Sequence, residues 1–349
     1  MNHEQPAFQV ITGKFIESVL NSSRRDIIDI VKKCYLVHHQ GKTENPSSYF
    51  LHFRDKPEAR IIALPAAINH APDMLVSGIK WISSYPRNIE NNLQRASAVI
   101  LLNDYETGYP FACLEASQIS AARTAASAVL ATDYLWPLAK HAKTLAIIGG
   151  GVISRTILSY YKDDGWEFDQ VIIHDLSKEH LHSFVNSTEI QALYPVSAES
   201  DLATALQADI VMLATTAGEP YILAKDTFSA QQLVLNISLR DLSPSIIECS
   251  NNIFDDVEHC MKANTSPHLA EQKFGHREFV TGTLAEIING EKQLDPSKPT
   301  IFSPFGLGVL DLSLAMFINQ KSNCSTEQHI IPDFFPETKR WNDEKVSHA

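Results

Sequence analysis

The sequence has few cysteines and no pattern among them. Cys34, Cys113, Cys249, Cys260 and Cys324 are odd in number, widely spaced, and form no C-x-x-C pair. They read as reduced thiols rather than as a disulfide frame or a structural zinc site. The opening MNHEQPAFQV lacks a basic segment running into an apolar one, so no secretory leader is expected. No apolar run approaches the roughly 18 residues that a membrane helix needs. H-E-x-x-H, G-x-x-x-x-G-K-[ST] and G-x-S-x-G are all missing, which removes the common zinc-protease, P-loop and serine-hydrolase signatures. The 14 histidines show no ligand spacing, so no metal site is expected. Positive charge is also short: 29 Lys+Arg stand against 41 Asp+Glu, a formal balance of −12. That excludes a general grip on nucleic acid or on an anionic membrane, but not a basic pocket for a small anion. Together these absences predict a cytoplasmic protein.

What is present fits a globular chain. At 349 residues, 44% apolar and 20% charged, it has the length for about two domains and ample core. Residues 16–39 carry helix-like apolar spacing, with NSSRRD as a break between two helices. Residues 60–82 read as two strands around a proline-containing turn. Residues 97–113 read as a hairpin, with DYETG as its turn. The Ala-rich stretch 115–135 is long enough for a helix. From about 140 to 260 the pattern alternates. TLAII, VIIHD, DIVML, LVLNISL and NNIFDD read as strands, with helix-like stretches between several of them. Such alternation predicts a parallel α/β sheet. Residues 300–319 read as strand, glycine turn and helix. Beyond Lys321 a loosely ordered polar tail is expected.

Three groups of residues carry chemistry. The first is Gly149-Gly150-Gly151-Val152-Ile153-Ser154, directly after an apolar strand. Bare backbone at a strand-to-helix turn lets a pyrophosphate approach the helix N-terminus. Asp175 ends the next strand, where a carboxylate accepts from ribose hydroxyls and repels a 2′-phosphate. Lys178 nearby leaves room for a phosphorylated ribose. The second group is the cations Arg60, Lys80, Arg95 and Arg123. Lys80 lies in an apolar strand and Arg123 among alanines, so each needs a partner if buried. A ligand carboxylate is one such partner; a protein salt bridge is the other. The third group begins at the end of the strand LVLN: Asn236-Ile237-Ser238-Leu239-Arg240-Asp241. Ligands of doubly wound sheets bind beyond the carboxyl ends of strands. Asp241 is thus placed either as a general base or as a turn cap. Ala214-Thr215-Thr216 ends the preceding strand.

These segments resemble the ornithine cyclodeaminase/μ-crystallin family. The matching strings are GIKWIS (78–83), RASAVILLND (95–104), TGYPFACLEASQISAARTAASA (107–128), IIGGGVIS (147–154), VIIHD (171–175), ATT (214–216), LNISLRDLSP (235–244) and SPFGLGVLDLS (303–313). The resemblance implies an α/β fold: a Rossmann-type NAD-binding domain plus a substrate and dimerisation α+β domain with a mixed sheet. The expected boundaries are 1–130 with 300–330 for the substrate domain, 131–299 for the Rossmann domain, and 331–349 for a tail. It also implies carboxylate contacts from Arg60, Lys80 and Arg123, with Arg95 serving substrate or cofactor. NAD would be touched by Gly149, Gly151, Val152, Ile153, Asp175, Thr124, Thr215, Ser238 and Gly306. Asp241 would be the catalytic acid–base group, with Lys80 polarising the α-carboxylate.

Within the family, RIIALP, GIKWIS, the spacer before RASAVILLND, and NISLRD look most like one branch. That branch oxidises N-(2-amino-2-carboxyethyl)-L-glutamate with NAD, giving L-2,3-diaminopropionate for siderophores and peptide antibiotics. Its substrate has three carboxylates, which suits four cations better than ornithine does. Ser154 stands where the family has Ala or Gly, and Asp241 lacks the family's Gly-Ala before it and Pro-Gly-Lys after it. The second difference fits a dehydrogenase better than a cyclodeaminase. Other readings are ornithine cyclodeaminase, another imine or amino-acid dehydrogenase, and a non-catalytic ligand-binding protein like μ-crystallin. The partners implied are a small amino-acid-derived substrate and a second copy of the chain.

Overall fold

A computed structural model of the chain describes residues 7–69, 71, 74–325 and 329–335. It divides into two compact units. The first comprises Met1–Val19, Thr43–Ile119 and Asp311–Ala349; the second comprises Leu20–Lys42 and Ser120–Leu310.

Alternation of apolar residues builds the sheet of the first unit. Its strand order is Ile330–Ile331, Phe8–Ile11, Pro110–Glu115, Ala96–Asn103, Val76–Ser84, Arg60–Ile68 and Thr43–Glu44, with Tyr49–His52 also pairing the strand Arg60–Ile68. Phe8–Ile11 runs parallel to Pro110–Glu115 and the other pairs are antiparallel, so the sheet is mixed. Leu64, Ile100, Leu102, Ala112 and Leu114 point to the buried face. The opposite face is also apolar. Tyr49, Ala63, Trp81 and Val99 follow one another across it by register. Of these, Tyr49, Trp81 and Val99 are exposed.

The second unit holds an eight-stranded parallel sheet. Its order is Val196–Ala198, Glu167–His174, His141–Ile148, Ile210–Leu213, Leu233–Asn236, Thr300–Ser303, Asn251–Phe254 and Val280–Thr283. The strands Ile210–Leu213, Leu233–Asn236, Asn251–Phe254 and Thr300–Ser303 are buried along their whole length. That is why they read as continuous apolar runs rather than alternating ones. From His141–Ile148 the chain steps to one neighbour, Glu167–His174, and later returns to the other, Ile210–Leu213. Such a reversal opens a crevice at the carboxyl ends of the strands.

Several expectations are corrected. Residues 20–42, 120–130 and 300–310 group with the parallel-sheet unit, not with the first unit. The helix Arg24–His39 is tied there by Tyr35 to Ser127, by Arg24 to Asp163 and by His38 to Asp256. The break between the first two helices is one residue, Ser23, because Arg24, Arg25 and Asp26 already belong to the second helix. The strand LVLN ends at Asn236, since Leu239 takes φ +76 and turns the chain. The tail is partly ordered. The helix Gly308–Asn323 runs past Lys321, Ile330–Ile331 pairs with Phe8–Gln9, and Phe334 stacks on Phe8 at 4.0 Å. Residues 336–349 of the expected tail lie outside the described residues. Among the described residues no helix is long and apolar enough to cross a membrane. Among them, too, no group of three or more His, Cys, Asp or Glu could hold a metal.

Candidate active site

The glycine loop is built where the strand His141–Ile148 must turn into the helix Val152–Asp163. Gly149 sits at φ +100, and a Cβ there would lie 2.7 Å from the Ala214 carbonyl oxygen. Only glycine fits such a position. A Cβ at Gly150 would press on Phe184 at 3.1 Å, whereas Gly151, the residue capping the helix, faces open space. The buried Ser154 hydroxyl donates to the Gly149 carbonyl at 2.6 Å. Serine therefore adds a bond to the loop without taking space from a ligand. Asp175 accepts from the Gly150 N–H at 2.9 Å and from the Ser177 N–H at 2.8 Å. It is tied into the loop rather than left as a solvated strand end. Val152 is exposed and Ile153 half-buried. A bare helix N-terminus with open space at Gly151 and an acid at the next strand end fits a dinucleotide.

Asp241 is fully buried. Its carboxylate accepts from Thr215 Oγ1 at 2.5 Å and from the Ser238 hydroxyl. Its own carbonyl accepts from the N–H groups of Tyr221 and Ile222. Burial pushes the Tyr221 phenol up, and the neighbouring Asp241 carboxylate adds to that shift. Nothing in local sequence pattern marked Tyr221. The loop around Asp241 is strained. Leu239 has φ +76, and the facing Ala263 and Asn264 have φ +55 and +53. The two segments are bonded together, Ser266 N–H to Leu239 O at 2.7 Å and Arg240 guanidinium to Ala263 O at 2.8 Å. Arg240 thus fastens this loop. Non-glycine residues in the left-handed region cost about 1–3 kcal/mol each and cluster at functional loops.

The remaining residues of the second unit lie on helices and turns. Thr124 donates to the Ser120 carbonyl at 2.8 Å. Gly306 has φ +94, and a Cβ there would meet Arg123 guanidinium atoms at 2.5–2.9 Å.

In the first unit, Arg60 opens a strand opposite Ser84, and Lys80 lies opposite Leu64 and Ile100. Arg60, Lys80 and Ser84 share one face of the sheet. Four residues of strand separate the positions of Ser84 and Lys80, roughly 13 Å. Arg95 donates to Ser84 Oγ at 2.7 Å, and burial lowers its pKa. Lys80 is 2% exposed, and its Nζ lies 2.5 Å from Asp311 Oδ2. Asp311 was visible only as an acid in the first turn after a glycine turn. Its partnership with Lys80, 231 residues away, has no local signature.

The family model of the ornithine cyclodeaminase/mu-crystallin family matches residues 10–325. The chain belongs to the ornithine cyclodeaminase/mu-crystallin family. It is 30% identical to N-((2S)-2-amino-2-carboxyethyl)-L-glutamate dehydrogenase of Staphylococcus aureus over 322 residues, 88% of this chain and 93% of that one. Solved structures share the fold. The crystal structure of CmnK superposes with a TM-score of 0.84 at 21% identity, over 95% of this chain and 99% of that one. Delta(1)-pyrroline-2-carboxylate reductase of Thermococcus litoralis, solved with NADH and L-proline, gives 0.81 at 23% identity, over 90% and 98%. Family membership and fold agree with the expected α/β class, with a Rossmann-type sheet in one unit and a mixed sheet in the other.

Proposed function

We propose that the chain oxidises N-(2-amino-2-carboxyethyl)-L-glutamate with NAD, giving L-2,3-diaminopropionate and 2-oxoglutarate. The chain is an oxidoreductase acting on a CH–NH donor, and NAD is its cofactor. The observation that carries the reading is a buried acid, Asp241, held by Thr215 and Ser238 at the carboxyl end of the parallel strand Leu233–Asn236. The cations Arg60, Lys80 and Arg123 suit a ligand with several carboxylates, and the 30% identity to the S. aureus enzyme points to the same substrate.

Gly149, Gly151, Val152 and Ile153 would hold the pyrophosphate at the helix N-terminus, and Asp175 the ribose. Thr124, Thr215, Ser238 and Gly306 would line the rest of the cofactor. NAD held there would supply the acceptor for the hydride that leaves the Cα of the glutamate half. Asp241 takes the proton from the substrate nitrogen as the C=N bond forms. It returns that proton to the nitrogen as water adds to the imine carbon and takes one from the added oxygen; the remaining hydroxyl proton passes to the departing nitrogen as the C–N bond breaks, releasing the amine and the oxo acid. Arg60, Arg123 and Lys80 bind the carboxylates and hold the Cα in reacting position, with Arg95 at the Ser84 end of the same sheet. The exposed apolar row Tyr49, Trp81 and Val99 supports a homodimer through the mixed sheet. The product would feed siderophore or peptide-antibiotic assembly.

The test is to mix the purified protein with NAD and aminocarboxyethyl-glutamate and follow reduced nicotinamide by absorbance. Stoichiometric NADH, diaminopropionate and 2-oxoglutarate are expected. No NADH with that compound, but proline and ammonia from ornithine, would refute the reading.

A further inference from the structure

Asp255 has no part in the roles assigned above, yet it is 4% exposed and bonded to four donors. It directly follows the strand Asn251–Phe254. Oδ1 accepts from the Asp256 N–H at 2.9 Å, the Cys260 thiol at 3.2 Å and the Phe305 N–H at 2.9 Å. Oδ2 accepts from the Gly306 N–H at 2.6 Å. Two of the four donors belong to the turn that follows the neighbouring strand Thr300–Ser303. That turn is the one whose glycine lies against Arg123. A Cβ at Gly306 would stand 2.5, 2.8 and 2.9 Å from the guanidinium NH1, NH2 and CZ atoms. The guanidinium therefore rests on bare backbone, and the carboxylate fixes that backbone from its N–H side. A buried phenol, Tyr35, senses both charges: burial raises its pKa most, the Asp255 charge adds, and the Arg123 charge subtracts. Tyr35 donates to Ser127 at 2.8 Å, one helical turn beyond Arg123.

We propose that Asp255 is the positioning residue of Arg123: it locks the Phe305–Gly306 turn on which the guanidinium lies, and so sets the direction in which Arg123 meets a ligand carboxylate. The ligand part rests on the role of Arg123 proposed above. The geometry also dictates which change is informative. Both carboxylate oxygens accept from backbone N–H groups of the same turn. In Asp255→Asn the amide NH₂ must face one of them, donor against donor, whichever way it is flipped. Size is unchanged, so no cavity forms.

Two readouts separate this proposal from the proposed function. The first needs no turnover: the Arg123 Nε–Hε resonance, assigned by its loss in Arg123→Lys. In the wild type it is expected apart from the bulk arginine peak. In Asp255→Asn it should move to the bulk position. Asp255→Glu, which displaces the charge by one methylene, should do the same. An unmoved resonance in either folded variant overturns the proposal. If neither variant folds, Gly306→Ala carries the test. It leaves the Asp255 carboxylate in place, and its Cβ should displace the guanidinium; an unmoved resonance there overturns the proposal. The second readout is kinetic. With aminocarboxyethyl-glutamate, KM should rise at least tenfold in Asp255→Asn while kcat changes less than threefold. A fall in kcat with KM unchanged overturns the positioning role. If the wild type forms no NADH from that compound, the functional reading fails and the resonance still decides on Asp255.

Discussion

Removing Lys80 and Asp311 one at a time and then together should separate what the pair does for stability from what it does for catalysis. The Nζ–Oδ2 distance is 2.5 Å, and the side chains are 2% and 0% exposed. At an effective dielectric of about 20 the attraction is roughly 7 kcal/mol. Desolvation costs several kcal/mol for each ion, so the pair as a whole is near neutral for folding. The single changes are different. Lys80→Met leaves a buried carboxylate without its ammonium, and Asp311→Leu leaves a buried ammonium without its carboxylate. Each should lose about 3–5 kcal/mol, while the double variant should fall within about 1 kcal/mol of wild type. The two units need not unfold together, so the free energy is best read by native-state hydrogen exchange in the strand Val76–Ser84. All three variants should be catalytically dead. A loss below about 1 kcal/mol in either single variant would mean that the charges are solvated. A double variant as unstable as the worse single would mean that packing, not the unpaired charge, is what the singles lose.

Asp241→Asn should abolish NADH formation while the dissociation constant for NADH stays within about threefold; wild-type turnover would remove Asp241 from the mechanism. Gly149→Ala places a Cβ 2.7 Å from Ala214 O at φ +100, so it should cost about 2 kcal/mol or more and weaken NADH binding, both measurable by thermal shift with and without NADH. Burial opposes ionisation of Asp256, but hydrogen bonds from His259 and His38 outweigh it and hold its pKa well below the usual carboxylate range. The stability from that depressed pKa is fully present above the unfolded value of about 3.9 and is lost as pH falls below it. Asp256→Asn should therefore cost about 2 kcal/mol at pH 7 and about 1 kcal/mol less near pH 3, the rest being lost only at still lower pH, by urea unfolding at the two pH values. Trp81→Asp, in the exposed apolar row of the mixed sheet, should convert a dimer to a monomer in sedimentation; an unchanged mass would move the interface elsewhere.

Features set by neighbouring residues were legible from the chain alone. The glycine loop needs only a strand, bare backbone and a helix, all within residues 145–163. Asp175 and Asp241 were legible because the end of an apolar run shows where a parallel strand stops. The helix Arg24–His39 shows the limit of this kind of reading. Its apolar stripe says that one face is buried, but not against what, and so it was assigned to the wrong unit. Asp311 and Asp255 show the same limit in chemistry. Each sat inside a segment already noted, but its partner lies 231 or 51 residues away. A carboxylate at the end of a strand looks alike whether it caps a turn or locks a distant glycine.

The partners of the cations also change how the charge arithmetic should be used. Counting Arg60, Lys80, Arg95 and Arg123 against three carboxylates takes no account of what each cation already meets in the protein. Arg240 donates to Ala263 O and fastens the strained loop. Lys80 carries its own counter-charge in Asp311. A ligand carboxylate near that pair meets N–H donors with little net charge. Arg95 donates to a neutral hydroxyl, and burial lowers its pKa. In the proposed function Arg60 and Arg123 also meet carboxylates of the substrate. Guanidinium is the right group for that task, because it stays ionised when desolvated and meets a carboxylate with two parallel bonds. Replacing either arginine by lysine should therefore be as damaging as removing it, whereas Lys80→Arg should fail for want of space rather than of charge.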